Sequence, residues 1–370
     1  MPVLDFTIDI DQQLMHEVYL DRLNTGFINR HIYPQLDETY RLIRLLLLDK
    51  GLPNTPKQLE AINARIARII ELNSGWGAYT KDMREAALYE MRYVAKQVEL
   101  PTVASRTLLS FINEQMMVLN GTAAGFWSEF VAGNINGLRE QVDGRVKAGY
   151  ARGLSVNQVL KEIRQEFDGT ARKRAESLAR TGFSHYVQQA RRGLVASEPD
   201  YFEEAIFVAV WDNRTSLVCR SNAGKRYKAT DPKLPIPPLH PNCRSTIVYG
   251  PKGFKLKGQR AAIGGLKGEE ARKAYERKKQ RTDGKVKYKG KRDLNTFKPE
   301  TLSSDASHEA WLRRQPRWFV ESSLGVTKAK LFLDGKLSLS RFTDMAGRPL
   351  TLAELEAADT DLFIALGLAN

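Results

Sequence analysis

What most constrains this chain is a single change of hydrophobic period near residue 200. Before it, apolar residues recur at helical spacing. After it comes Ala205-Ile206-Phe207-Val208-Ala209-Val210-Trp211, a short β-branched and aromatic run suited to a buried strand. The switch predicts an α+β fold that is mostly α-helical, with a small α+β module in the middle.

The helix starts carry capping chemistry. Thr55-Pro56-Lys57-Gln58 sets a hydroxyl acceptor before a proline at the first helical position, and Leu59, Ile62, Ile66 and Ile69 follow at helical spacing. Ser155-Val156-Asn157-Gln158 does the same for Val159, Leu160, Ile163 and Phe167, and Asp168-Gly169 is expected to end that helix. The next helix is predicted from about Thr170 to Ser197, closed by Pro199. Its stripe of Ala171, Ala175, Leu178, Gly182, Tyr186, Ala190 and Leu194 begins with small residues, so a neighbouring helix can come close. Lys225-Arg226-Tyr227-Lys228 and Ser245-Thr246-Ile247-Val248-Tyr249 are candidate partner strands. The stretch from Asp231 to Pro241 between them is too rich in proline for a helix or a central strand.

A length of 370 residues suits two or three folding units. The periodicity divides the chain into a helical region over 1–150, the α+β module over 151–250, a basic arm or linker over 251–299 and a small helical module over 300–370. Thr351-Leu352-Ala353-Glu354 caps a helix in the last of these, and no fixed-period repeat is visible. Within the arm, Glu269 to Arg281 has helical composition but no apolar stripe worth burying, so the segment is expected to be flexible.

Charge singles out that same arm. The chain carries a formal +14, and residues 251–292 hold 16 Lys or Arg against four Asp or Glu. A focused basic segment implies an anionic partner more strongly than a diffuse one does. Lys252, Lys255, Lys257, Arg260, Lys267, Arg272, Lys273, Arg277, Lys278, Lys279, Arg281, Lys285, Lys287, Lys289, Lys291 and Arg292 are the candidate nucleic-acid contacts. They would act on phosphates through counterion release, with Tyr275 and Tyr288 available to stack on bases. The bland alternatives are a solvated linker or contact with an acidic protein surface.

Several classes are set aside. The start, Met1-Pro2-Val3-Leu4-Asp5-Phe6, lacks a basic region and a long apolar run, so no secretory signal is read. The longest apolar runs are far shorter than a membrane span, which predicts a soluble protein made in the cytoplasm, without a membrane partner. There is no nucleophile elbow, phosphate loop, zinc-protease helix or dinucleotide fingerprint, and Gly264-Gly265 follows no strand signal, so no enzyme is expected. Arg180 reads as solvated or ion-paired, and His16, His31 and His308 as ordinary surface or interface residues.

One cluster could carry chemistry. Cys219, His240 and Cys243 all have ligand-competent side chains, and the last two sit three apart in a proline-bounded turn. Asp212 and His185 are the nearby residues that could complete a zinc shell. Zinc competes there with a structural hydrogen-bonding role, which the sequence favours, and with a Cys219–Cys243 disulfide, because paired C-x-x-C knuckles are missing. Asp212 reads either as a general base or ligand, or as part of a turn with Thr215.

The stretch Trp211-Asp212-Asn213-Arg214-Thr215, Cys219, Gly224, Tyr227 and Pro237-Pro238-Leu239-His240-Pro241-Asn242-Cys243-Arg244 resembles the core signature of the phage Mu F-like minor head proteins. Leu178-Ala179-Arg180-Thr181 resembles that family's lead-in. Trp311-Leu312, Gln315-Pro316, Leu324-Gly325, Gly335-Lys336-Leu337 and Gly347-Arg348-Pro349-Leu350-Thr351-Leu352 resemble tails found on such proteins. The family often shows Cys-Arg-Cys where this chain has Cys243-Arg244-Ser245, which removes a third thiol. The resemblance implies a virion protein of low copy number by the portal vertex, with portal protein, major capsid protein or other head components, and packaged DNA as partners. An internal DNA-binding protein expelled with the genome is the first alternative, and a zinc-dependent hydrolase is the second.

Overall fold

The structure is a computed structural model that describes residues 6–369 apart from 283, 285, 287, 289 and 345–347. Strand β1 (Thr7–Asp9) leads into α1 (Ile10–Phe27), which Asp9 caps by accepting from the Asp11 amide at 2.9 Å. A π-turn over Ile28–Ile32 carries α1 into α2 (Tyr33–Lys50). Helices α3 (Pro56–Leu72), α4 (Trp76–Gln97) and α5 (Ser105–Asn113) precede a hairpin of β2 (Met117–Leu119) and β3 (Thr122–Gly125). Then come α6 (Trp127–Arg152), α7 (Val156–Glu166) and α8 (Arg172–Ser197). Thr55 and Ser155 cap α3 and α7 as their patterns predict.

The expected stop at Asp168-Gly169 is not there. Residues Phe167–Ala171 form a π-turn that runs α7 into α8 without a break. Phe167 and Ala171 are buried, and Asp168 bonds Arg164 at 2.7 Å, so packing holds the turn in place.

Helix α8 is the hub of this half, packing on α1, α4, α5 and α6. Its small residues allow that: Gly182 lies against the Trp127 ring of α6 and Gly193 against Leu108 of α5. Strands β4 (Glu204–Val208), β5 (Arg226–Lys228) and β6 (Thr246–Gly250), with α9 (Leu217–Asn222) inserted after β4, make an antiparallel sheet of order β5-β4-β6. One hydrophobic core runs from Leu20 to Tyr249, and residue 150 falls inside α6. The helical region and the α+β module therefore share an interior.

A buried polar network crosses that interior. Glu90 of α4 has no solvent exposure; it accepts from Arg191 of α8 at 2.7 Å and contacts His16 of α1 at 2.6 Å. Arg191 also reaches Glu17 at 2.6 Å and Thr246 of β6, and Tyr93 stacks on His16 at 3.6 Å. His16 is thus a buried member of a charge network rather than a surface residue.

On the far face of the sheet, Ile10, Ile206, Val208, Val248 and Phe254 form a small core of their own. Strand β7 (Lys255–Lys257) closes it by pairing in parallel with β1, Thr7 opposite Lys255.

The segment read as a flexible arm is folded. Strands β8 (Gln259–Gly265) and β9 (Phe297–Ser303) pair antiparallel over their full lengths, and α10 (Glu269–Arg281) lies between them in sequence. Ala271, Ala274 and Tyr275 of α10 are buried, so the helix has a stripe, built of small residues and one ring. Tyr275 packs on Trp318 at 4.9 Å and Tyr288 on Phe297 at 6.2 Å, which commits both rings to the interior instead of to bases. Helices α11 (His308–Arg313), α12 (Arg317–Leu324), α13 (Val326–Leu333), α14 (Leu352–Ala358) and α15 (Thr360–Ala365) complete a second core with these strands, and Trp211 joins it.

Gly264 and Gly265 belong to β8, where the absence of a side chain is needed. A Cβ on Gly265 would stand 2.8 Å from Phe319 and Trp318. Gly265→Ala is expected to lower stability by roughly 1–3 kcal/mol through overpacking, seen as a lower urea midpoint with an unchanged slope.

Candidate functional site

The site grows from α9, which follows β4, and from the loop that follows β5. Ser216 caps α9 by accepting from the Cys219 amide at 3.4 Å, which fixes Cys219 on the first turn of that short helix. The proline-rich loop then returns to β6 through a tight turn in which the Cys243 amide bonds the His240 carbonyl at 3.2 Å. Two neighbours hold the turn down. Asn242, in the left-handed region at φ 57°, receives its contacts from α8: its amide donates to Thr181 at 3.1 Å and its side chain to Ser177 at 2.7 Å. Asn120 of the β2–β3 hairpin donates to the Leu239 carbonyl at 2.7 Å.

This packing gathers Cys219, His240 and Cys243, whose ligand atoms all lie within 4.8 Å of one another. Cys219 Sγ stands 3.3 Å from His240 Nε2 and 3.7 Å from Cys243 Sγ. Two sulfurs on one tetrahedral zinc, each about 2.3 Å from it, would be ~3.8 Å apart. The cysteines are free, and a disulfide would need them at about 2.05 Å. The third sequence reading, a Cys219–Cys243 bridge, is therefore not the state described.

His240 presents the correct nitrogen. Its Nδ1 lies 2.9 Å from the Pro241 carbonyl, an acceptor only, so that nitrogen carries the proton and neutral His240 turns the lone pair of Nε2 toward the sulfurs. Electrostatics favour charge separation here. Hydrogen bonding from Cys219, with help from His240, holds the Cys243 thiol well below its usual value against the effect of burial. The Cys219 thiol is pushed up by its hydrogen bond to Cys243 and by burial. Burial would lower the His240 imidazole, but its contact with Cys243 raises it.

Neither nominated fourth ligand joins the cluster. Asp212 is gripped by Arg244 through two bonds of 2.8 Å and accepts from the Arg214 amide at 2.9 Å and from Thr215 at 3.1 Å. Burial opposes its charge, yet Arg244 holds the carboxyl well below the usual range, so Asp212 is an arginine-bound anion within the turn it forms with Thr215. His185 is buried in α8, where desolvation lowers it to about 4. The residue that does touch both sulfurs is Ser245, whose hydroxyl bonds Cys219 and whose backbone bonds Cys243. Sequence reading noted Arg244 and Ser245 only as the place where a third thiol is lost, and gave neither a contact in the site.

Residues 140–248 match the family model described as phage Mu protein F like protein. Over these residues the chain is similar to that family. The match takes in α7, α8, α9, β4, β5, the first part of β6 and all three members of the cluster. No curated protein and no solved structure matches the chain. No helix among the described residues is long and apolar enough to cross a membrane.

The candidate nucleic-acid contacts scatter more than the arm reading requires. Arg260 is buried against the Trp211 ring and cannot reach the backbone of a nucleic acid. Lys278 pairs with Asp293 at 2.8 Å and bonds Thr296, while Arg272 and Lys273 pair with Glu269 and Glu270. Arg277, Lys279 and Arg281 stay exposed on α10 with Arg272 and Lys273, and Lys252, Lys255, Lys257 and Lys267 lie outside that helix. Lys285, Lys287 and Lys289 lie outside the described residues, as do the side chains of Lys291 and Arg292. Among the described residues the exposed candidates are a basic face on α10 together with Lys252, Lys255, Lys257 and Lys267.

Proposed function

We propose that this chain is a head morphogenesis protein of a tailed phage, a structural component of the virion positioned by the portal vertex. The phage Mu F-like match over the cluster-bearing segment carries this reading. The helical N-terminal half would dock on the portal or a capsid neighbour, and Met15, Val18, Tyr19 and Tyr89 give it an exposed apolar face for that purpose. The exposed cations of α10 would meet packaged DNA.

Within this reading zinc ties the loop to α9. Cys219, Cys243 and His240 Nε2 would hold it by three bonds, and the fourth position of the tetrahedron would fall to water. The ion supplies cross-linking energy to a loop that has few backbone donors of its own. Elemental analysis of purified protein is expected to give about one zinc per chain; well under one removes the metal.

The deciding experiment for the function is a pulldown of the full chain with its phage's portal protein, beside a DNA titration across salt. Portal binding that survives high salt, and that Tyr19→Asp with Tyr89→Asp weakens at least tenfold (about 1.4 kcal/mol), is expected. DNA binding is expected to fall steeply with salt. Strong DNA binding with no portal binding would favour a protein expelled with the genome and sink the docked head protein.

A further inference from the structure

The strongest unmatched positive charge lies inside the joint between the Mu F-like segment and the C-terminal core. Arg220 of α9 is 2% exposed and Arg260 of β8 is 3% exposed. Buried guanidiniums ordinarily take carboxylates, because leaving a buried charge unpaired is costly. Among the described residues neither has one in contact. Arg220 donates to the Thr215 carbonyl at 2.8 Å, to the Asp212 carbonyl at 2.5 Å and to His308 Nε2 at 3.4 Å. Arg260 donates to the Ala209 carbonyl at 2.5 Å and lies 4.0 Å above the Trp211 ring. Asp212 is already taken by Arg244, while Glu300 accepts from Trp311 and Gln315.

Around these charges, three more nitrogens have no hydrogen-bond partner: Trp211 Nε1, Arg260 Nε and His308 Nδ1. All three are donors. Arg220 can only donate, so His308 Nε2 accepts from it and the imidazole proton sits on Nδ1. Burial and both arginines keep His308 from taking a second proton. The donors belong to side chains in mutual contact, with the His308 ring 5.0 Å from that of Trp211 and the Arg260 guanidinium 4.0 Å from the same indole. Orphaned buried donors are rare in a folded protein. A water molecule would satisfy at most two of them; it would leave the Arg260 charge unanswered and Arg220 with only the field of the Asp212 carboxylate that Arg244 already holds.

We propose that this joint binds a small inorganic anion, which accepts from Trp211, Arg260 and His308 and balances the charge of Arg220 and Arg260. Trp211 and Arg220 come from the Mu F-like segment, whereas Arg260 and His308 come from the elements that follow it. The anion therefore bolts the C-terminal core to the Mu F-like sheet.

The test compares thermal melts of the full chain in chloride, bromide, phosphate and gluconate at matched ionic strength, with crystals grown in bromide. A small anion near saturation is expected to raise Tm by roughly 3 °C over gluconate, which is too large to enter. Arg260→Met and His308→Phe should each abolish that difference, while Arg68→Met on the exposed face of α3 keeps it. Anomalous density from bromide is expected within hydrogen-bond reach of Trp211 Nε1 and His308 Nδ1. A gain in phosphate alone, with tetrahedral density at the same donors, assigns an oxyanion instead of a halide. Equal melting in all four salts, with water alone on the three donors, overturns the site. So does an anion effect that Arg260→Met retains. Should Arg260→Met not fold, His308→Phe and the bromide density decide.

Discussion

Arg191→Met is expected to cost roughly 3–5 kcal/mol of stability, the largest loss from any single substitution considered, because it strands Glu90 in the core. Arg191 is the strap across that network: it holds Glu90, Glu17 and Thr246, and so joins α4, α1 and β6 to α8. Burial works against its charge, but the two glutamates raise its pKa further still. The double variant Arg191→Met with Glu90→Leu should recover much of the loss, since an apolar replacement removes the stranded charge along with its partner. Denaturant midpoints of the two variants check this; equal losses would mean the network is not coupled. The same network sets an acid limit. Burial alone would raise the Glu90 carboxyl, but Arg191 and His16 hold it below its usual value. A depressed folded pKa contributes stability that is present above the unfolded value of about 4.3 and is lost as pH falls through the folded one. Melting temperature is therefore expected to drop as pH falls below about 4, and Glu90→Gln should flatten that drop.

Ser245→Cys is expected to tighten zinc binding by about a hundredfold. Four-ligand structural zinc sites are worth roughly 10–16 kcal/mol, so one added thiolate accounts for ~3 kcal/mol. Ser245 already bonds Cys219 by its side chain and Cys243 by its backbone, which places a third sulfur beside the other two. Competition with a chromogenic chelator would read the change. Unchanged affinity would show that position 245 does not face the ion, and no zinc uptake by either protein would dismiss the metal itself. His240→Ala in the Ser245→Cys background should return affinity to about the starting level, which separates a gain at the site from stray thiol binding.

What was legible in the sequence was local. Caps at Thr55, Ser155 and Thr351 lie within four residues of the helices they start, so the pattern alone finds them. Strands β4 and β6 stood out by β-branched and aromatic composition, β5 only as a candidate partner between them, and the Cys219–His240–Cys243 cluster by its proline-bounded turn. Contacts across long separations stayed hidden. Nothing near Asp212 announces Arg244, 32 residues away, and nothing near His308 announces Trp211. Helix α10 was misjudged because its buried stripe is Ala271, Ala274 and Tyr275, while long basic side chains dominate its composition. Gly264-Gly265 looked like slack in a linker, yet Gln315, Trp318 and Phe319 fill the space their missing side chains leave.

The parallel pairing of β1 with β7 has a kinetic meaning. It joins Thr7 to Lys255, so a nascent chain leaving the ribosome N-terminus first cannot make this contact until nearly 250 further residues have been translated. Until then the small core of Ile10, Ile206, Val208, Val248 and Phe254 stands open on one side of the sheet. Closing so long a loop comes late because its entropy is spent before the contact gives anything back. The first strand to be made is thus the last of that core to be seated, and an incomplete chain shows a sticky sheet face that the finished one conceals.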